Sequence, residues 1–67
     1  MPNIRYSRHA RIRMIERGIS TAEVVGAIEQ GSKRRQDGKI VAAHRHVEVV
    51  FKMVKGDCYV ITVMLRW

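Results

Sequence analysis

His44, Arg45 and His46 form the densest group of side chains that could carry out chemistry. Metal-free RNA cleavage needs a base for the ribose 2′-OH, a cation for the developing phosphorane and an acid for the leaving oxygen, and His and Arg can supply all three. An extended backbone would place both imidazoles on one face, with Arg45 opposite. The segment has no Gly or Pro to mark a turn, so it could be a turn or part of one long bent strand. The alternative to a catalytic role is a solvated bend beside a basic surface.

A second candidate group holds four cations within seven residues, opposed only by Asp37: Lys33, Arg34, Arg35 and Lys39. Such a cluster suits phosphate binding. The same charges could instead protect an exposed edge strand from aggregation. Both interpretations place the cluster at the surface.

A third group lies on a predicted helix, where His9, Arg13 and Arg17 are spaced i, i+4 and i+8 and therefore share a face. Three such groups could bind phosphate. The alternative is structural, with His9 capping the helix or bonding to the sheet. Three aromatic residues, Tyr6, Tyr59 and Trp67, could stack on bases, although Tyr59 alternates with core positions and so favours packing.

Composition restricts the class of protein. The 67 residues carry 13 Lys and Arg against 6 Asp and Glu, a net charge of +7 that attracts polyanions. The length predicts one domain over residues 1–67. One cysteine, Cys58, excludes an internal disulfide and favours a reducing cytoplasm, and no thiolate or paired carboxylate accompanies the histidines to bind a metal. We expect neither a cofactor nor a membrane segment.

Two helices are predicted in the first half. Ser7 caps a helix that ends at about Arg17, with Gly18 at the left-handed position after it. The expected apolar side of this helix consists of Ala10, Ile12, Met14 and Ile15. The second helix begins with the capping box Ser20-Thr21-Ala22-Glu23 and ends at Gly31.

The second half has the period of two that is typical of strands. Asp37-Gly38 predicts a tight hairpin, and a strand from His46 to Val54 alternates apolar and polar residues. The last strand, Cys58 to Leu65, is apolar on both faces and is expected to be central and well covered. The predicted fold is therefore α+β, with two N-terminal helices packed on a curved antiparallel meander of three to four strands.

The segment His9-Ala10-Arg11-Ile12-Arg13-Met14-Ile15-Glu16-Arg17-Gly18-Ile19-Ser20, followed by Glu23-Val24, resembles the opening signature of the prokaryotic family called domain of unknown function 4258. That family is grouped with the RelE/ParE toxin superfamily, so the resemblance implies two helices followed by a curved antiparallel sheet. It implies an activity less directly, because the superfamily includes endoribonucleases, gyrase poisons and members without known activity.

The leading hypothesis is an RNA-directed toxin of a toxin–antitoxin pair that cleaves mRNA, free or on the ribosome. In it His44 or His46 moves protons, and Arg34, Arg35, Arg45 and Lys39 hold phosphates. Partners would be RNA, a cognate antitoxin or a second copy of the chain. The resemblance implies Arg, Lys, Tyr or His residues both on the sheet and just beyond the last strand, where this sequence has only Arg66-Trp67. This departure favours the alternative of a non-catalytic module that binds nucleic acid or an acidic protein. Inhibition of a topoisomerase is a third hypothesis.

Overall fold

Residues 3–66 are described by a computed structural model. Within them, two helices and five strands follow one another along the chain: β1 (Ile4–Tyr6), α1 (Arg8–Arg17), α2 (Thr21–Gln30), β2 (Ser32–Gln36), β3 (Lys39–His44), β4 (Val47–Val54) and β5 (Asp57–Leu65). The strands form one sheet in the order β1-β5-β4-β3-β2. The two helices pack on one face of this sheet, α1 against β5 and α2 against β3 and β4.

Both helix starts have the predicted caps. The Ser7 hydroxyl accepts a hydrogen bond from the Ala10 amide at 2.9 Å, and Gly18 ends α1 with φ 66. In the capping box, Ser20 Oγ accepts from the Glu23 amide at 3.1 Å, and Glu23 Oε1 accepts from the Ser20 amide at 2.9 Å. These bonds satisfy amides that the first helical turn leaves free, so the predicted helix bounds are confirmed.

The apolar side predicted for α1 is half wrong. Ala10 is fully buried and Met14 packs against the core, but Ile12 and Ile15 are exposed. The reason is geometric: α1 contacts β5 through a narrow stripe that includes Ala10 and Met14, whereas the predicted arc was broad.

Tight turns join the four C-terminal strands. Asp37-Gly38 and Lys55-Gly56 both have positive φ at each residue, which matches the right-handed twist of the hairpins they close. Arg45 also has positive φ, and the chain turns at residues 45–46. The segment His44 to His46 is therefore a turn, so the extended arrangement considered for the two histidines is wrong.

The sheet has five strands and is mixed, not an antiparallel meander of three to four. The strand missed by the sequence analysis is β1, which runs parallel to β5 with Ile4 beside Cys58 and Tyr6 beside Val60. Three residues are too few to show strand periodicity, and β1 is defined by a partner more than fifty residues away. The four other strands follow the predicted order.

The core lies between the sheet and the helices. Its fully buried centre consists of Val24, Val49, Val60 and Val63, around which Ala10, Ala27, Ala42 and Phe51 pack. The opposite face of the sheet is covered by no helix or strand within residues 3–66. The expectation that β5 would be covered on both faces is therefore wrong, and Met64 remains 39% exposed. Neither of the two helices in this part of the chain is long and apolar enough to cross a membrane.

Candidate nucleic-acid interface

The uncovered face of the sheet, called the open face below, carries side chains from all five strands. Cross-strand partners lie on the same face of a sheet, and successive residues of a strand alternate. The pairs Arg34 with Val41, Val50 with Thr62 and Arg5 with Tyr59 therefore belong together on this side. The pairs Ala42 with Val49 and Phe51 with Val60 belong to the core side.

A groove of about 410 Å³ runs across the open face. Its apolar lining comes from β3, β4 and β5. Gln36, Lys39 and Thr62 add polar groups, and Asp37 and Glu48 add two carboxylates, of which Glu48 pairs with Arg34. Val41 in this lining is 3% exposed although it lies opposite the core. The side chains around it therefore shield apolar surface without a second layer of helices.

A bulge in β5 shapes this groove. The register between β4 and β5 shifts after Val50, so that Val50 faces Thr62 whereas Phe51 faces Val60. Ile61 is the extra residue, and both Ile61 and Thr62 line the groove. The Ser7 hydroxyl donates a 2.7 Å hydrogen bond to the Ile61 carbonyl. The bulge adds apolar surface to the open face and ties this point of β5 to the start of α1.

Cations on the open face differ in their partners. Arg34 Nη2 lies 3.2 Å from Glu48 Oε1, whose side chain is 18% exposed, and Arg5 Nε lies 3.5 Å from Asp57 Oδ2. Lys52 Nζ lies 5.9 Å from the centre of the Tyr59 ring, within the range of a cation–π contact. Lys39 and Lys52 line one depression and have no carboxylate partner within residues 3–66. These two ammonium groups are available to an anionic ligand.

The basic hairpin cluster predicted from the sequence is divided between two sides of the sheet. Arg34 and Lys39 lie on the open face, whereas Lys33 and Arg35 alternate with them and lie on the other side. The Lys33 ammonium donates a 3.1 Å hydrogen bond to the Gly31 carbonyl at the end of α2. The four cations therefore cannot hold one phosphate together.

The two histidines considered for catalysis lie against α2, on the core side of the sheet. His46 Nε2 is 3.4 Å from Glu23 Oε2. His44 Cδ2 lies 3.8 Å from the position that a β-carbon would occupy on Gly26. Arg45 is exposed in the turn between them. The structure brings His44 and His46 to the same helix but separates them from Arg34 and Lys39 by the thickness of the sheet.

The predicted cluster on α1 is a surface feature. His9 and Arg17 are exposed, and Arg13 Nη1 lies 3.8 Å from Oε1 of Glu16, three residues further along the helix. Among residues 3–66 His9 makes no hydrogen bond to the sheet, so the structural role considered for it is not observed. The three side chains contribute positive surface away from the open face.

Lys52 and Arg5 are not among the candidates predicted from the sequence. Lys52 could have been predicted, because the alternation of β4 places it on the solvent-exposed face and the turn at residues 45–46 fixes the register of β4 with β3. Arg5 could not, because it lies on the unrecognised β1.

The aromatic candidates divide as well. Tyr59 lies on the open face, whereas Tyr6 packs against the core, and burial raises the pKa of its phenol above the ordinary value. Trp67 lies outside the described residues. No three His, Cys, Asp or Glu side chains within residues 3–66 are grouped closely enough to hold a metal ion.

Comparisons with known proteins agree with this geometry. A chain of the toxin–antitoxin complex RelBE2 from Mycobacterium tuberculosis has a similar fold, with a TM-score of 0.73 at 17% identity over 98% of this chain and 100% of that one. The likeness shows a shared fold, and the α+β class predicted from the sequence is confirmed, with a mixed sheet of five strands. No curated protein matches the sequence significantly. The model of the family described as domain of unknown function (DUF4258) matches residues 6–65. The chain therefore belongs to the DUF4258 family.

Proposed function

We propose that this protein is the toxin-type member of a toxin–antitoxin pair and acts on RNA in the cytoplasm through the open face of its sheet. The fold shared with a chain of a toxin–antitoxin complex supports the first half of this proposal. One observation carries the second half. Lys39 and Lys52 have no carboxylate within 4.0 Å in the described part of the chain, and they lie beside a groove that no other described element covers, lined by apolar side chains together with Asp37 and Glu48.

Single-stranded RNA suits such a surface. Its phosphates pair with ammonium and guanidinium groups, and its unstacked bases occupy apolar or aromatic surfaces. Lys39 and Lys52 hold the phosphates in this proposal, whereas Arg34 is already paired with Glu48. Tyr59 and the groove lining receive bases. A double helix would contact the face only through phosphates and sugars, so a single strand is the better ligand.

Binding is better supported than cleavage. In the endoribonuclease hypothesis His44 or His46 moves protons while the hairpin cations hold the same phosphate. The imidazoles face α2, and the cations with no described carboxylate face the other side of the sheet. We therefore propose RNA binding as the primary activity, and we treat the His44–His46 pair as the place where any cleavage activity would reside.

The first experiment separates binding from cleavage. Purified protein is incubated with mRNA, with and without ribosomes, and growth is followed after expression. We expect RNA binding and growth arrest. A cleavage activity that His44→Ala with His46→Ala abolishes would contradict the non-catalytic mechanism, and the absence of both RNA binding and growth arrest would remove the toxin proposal.

The second experiment locates the surface. A Lys39→Gln, Lys52→Gln variant removes two open-face cations. The control Lys33→Gln, Arg17→Gln removes the same charge from residues that do not line their depression, Lys33 on the other side of the sheet and Arg17 at the end of α1. Because each phosphate contact releases counterions, the slope of log K against log salt should shrink by about 0.7 per lost contact for the first variant. Equal weakening in both variants would show that net charge, and not this face, determines binding.

A further inference from the structure

The solvent side of α1 combines exposed apolar and basic residues. Ile15 is 84% exposed and Ile12 is 47% exposed. Arg8 and Arg11 each precede one of them by four residues and so lie beside them on the helix surface. We call these four residues the α1 ridge. No other element within residues 3–66 covers Ile12 and Ile15. Exposure of two adjacent isoleucines to water is unfavourable for an isolated monomer.

The ridge borders a groove between the end of α1 and the start of α2. This groove has a volume of about 620 Å³ and is lined by Arg11, Met14, Ile15, Ile19 and Thr21, among others. Ile19 is buried at its base, and Ile15 projects at its edge. The groove and the ridge are continuous through Arg11 and Ile15, and their apolar residues could receive the apolar stripe of a helix.

The charges beside this surface select an acidic occupant. Neither Arg8 nor Arg11 has a carboxylate within 4.0 Å in the described part of the chain. The one acidic residue of α1, Glu16, already lies beside Arg13 at 3.8 Å. A second copy of the chain would thus bring more arginine than carboxylate to the ridge. RNA would pair with the arginines but would leave Ile12 and Ile15 in water.

We propose that the α1 ridge and its groove are the docking surface for an acidic amphipathic helix of another protein. The apolar stripe of that helix covers Ile12 and Ile15 and enters the groove, and its flanking carboxylates pair with Arg8 and Arg11. This surface lies on the helix side of the sheet, away from Lys39 and Lys52. The inference therefore stands independently of RNA binding at the open face.

A synthetic peptide provides the probe. It has 20 residues with Leu on one helical face and Glu on its flanks. One comparison peptide replaces Glu by Lys, and another has the same composition in an order without an apolar face. Binding of the fluorescently labelled peptides to the full chain is measured by anisotropy. The protein variants are Ile15→Ser and Arg11→Gln, with Met53→Ser and Lys33→Gln as matched losses of apolar surface and charge elsewhere.

We expect saturable binding of the Leu–Glu peptide alone. Ile15→Ser should weaken it by about tenfold or more, since burial of an isoleucine side chain contributes at least that factor to affinity. Arg11→Gln should weaken it and reduce its salt dependence, whereas the two control variants should bind as the wild type does. Ile15 is so exposed that its replacement should leave the thermal unfolding midpoint unchanged.

Four results would overturn the proposal. They are equal binding of the scrambled peptide, equal loss in the control variants, no binding of the Leu–Glu peptide, and self-association of the chain that Ile15→Ser abolishes. The last would assign the surface to a second copy. A loss of RNA affinity in Arg11→Gln without any loss of peptide affinity would assign it to nucleic acid. If the Lys39→Gln, Lys52→Gln variant loses RNA binding but keeps peptide binding, the RNA surface and the peptide surface are distinct.

Discussion

The Nε2 atom of His46 lies 3.4 Å from Oε2 of Glu23, and the other oxygen of this carboxylate accepts a 2.9 Å hydrogen bond from the Ser20 amide. One side chain thus caps α2 and contacts the turn between β3 and β4. The hydrogen bonding with Ser20, followed by the charge of His46, holds the pKa of Glu23 below its ordinary value. The ionised carboxylate is therefore favoured in the folded state.

Because the folded pKa of Glu23 is lowered, its stabilising contribution is present above the ordinary glutamate pKa of about 4.3 and is lost as the pH falls through the folded value. Glu23→Gln keeps a cap but has no charge to titrate. A carboxylate titrates between about pH 5 and pH 3, and over this range we expect the free energy of unfolding to fall less for the variant than for the wild type. Urea unfolding at each pH measures this, and Glu29→Gln is the control.

Gly31 and Gly26 should respond oppositely to replacement by alanine. A β-carbon on Gly31 would lie 2.5 Å from the Ala27 carbonyl oxygen and 2.7 Å from that of Ala43, and backbone atoms cannot move aside easily. Gly31→Ala should therefore destabilise the fold by about 1–3 kcal/mol, as overpacking does. Gly26 lies within α2 and has room, with His44 at 3.8 Å, so Gly26→Ala should stabilise it by up to about 1 kcal/mol. Chemical denaturation of both variants tests the contrast, and a stable Gly31→Ala protein would contradict it.

Ser7 joins α1 to the sheet through one hydroxyl. It accepts from the Ala10 amide at 2.9 Å and donates to the Ile61 carbonyl at 2.7 Å. Ser7→Ala should cost about 1–2 kcal/mol, because it removes a helix cap and a hydrogen bond to the bulge. The midpoint of urea unfolding measures the loss. Ser32→Ala, at an exposed position of β2, should change stability little, and an equal effect of the two substitutions would contradict the role of Ser7.

Cys58 should react slowly with thiol reagents in the folded protein. Burial raises the pKa of its thiol, and the neighbouring charge of Asp57 raises it further, so that little thiolate forms at neutral pH. Cys58 is 3% exposed, and its Sγ lies 3.5 Å from Met53 Sδ. Alkylation with iodoacetamide, followed by mass spectrometry, should be much slower in buffer than in urea. If Cys58 reacts with iodoacetamide as fast as glutathione does, both in buffer and in urea, β5 is open to solvent at this position and the expectation is wrong.

Local signals predicted local structure correctly. The caps at Ser7 and Ser20 and the turn at Asp37-Gly38 depend on contacts within a few residues, and each is present. The strands after the second helix were also predicted, because alternation is strong in β4. Such features are encoded where they occur along the chain.

The errors arose where distant residues decide the outcome. The strand β1 exists because β5 lies beside it, and the bulge at Ile61 changes which face each side chain of β5 occupies. The candidate site was predicted incorrectly for the same reason. The cations from Lys33 to Lys39 are close together along the chain, but the alternation of β2 and β3 places neighbouring side chains on opposite faces of the sheet. The packing of His44 and His46 against α2 likewise depends on residues that are distant in the sequence.

The parallel pairing of β1 with β5 has a kinetic consequence. Ile4 reaches its partner Cys58 only after both helices and three strands have intervened, and Ser7 and Ile61, 54 positions apart, close the same long loop. Closing a loop of this length costs entropy before any contact compensates for it, and such pairings slow folding. The local hairpins of β2 to β5 can assemble earlier. The three residues of β1 should therefore join the sheet late in folding and be released first when the protein opens, which makes this edge the place where hydrogen exchange begins.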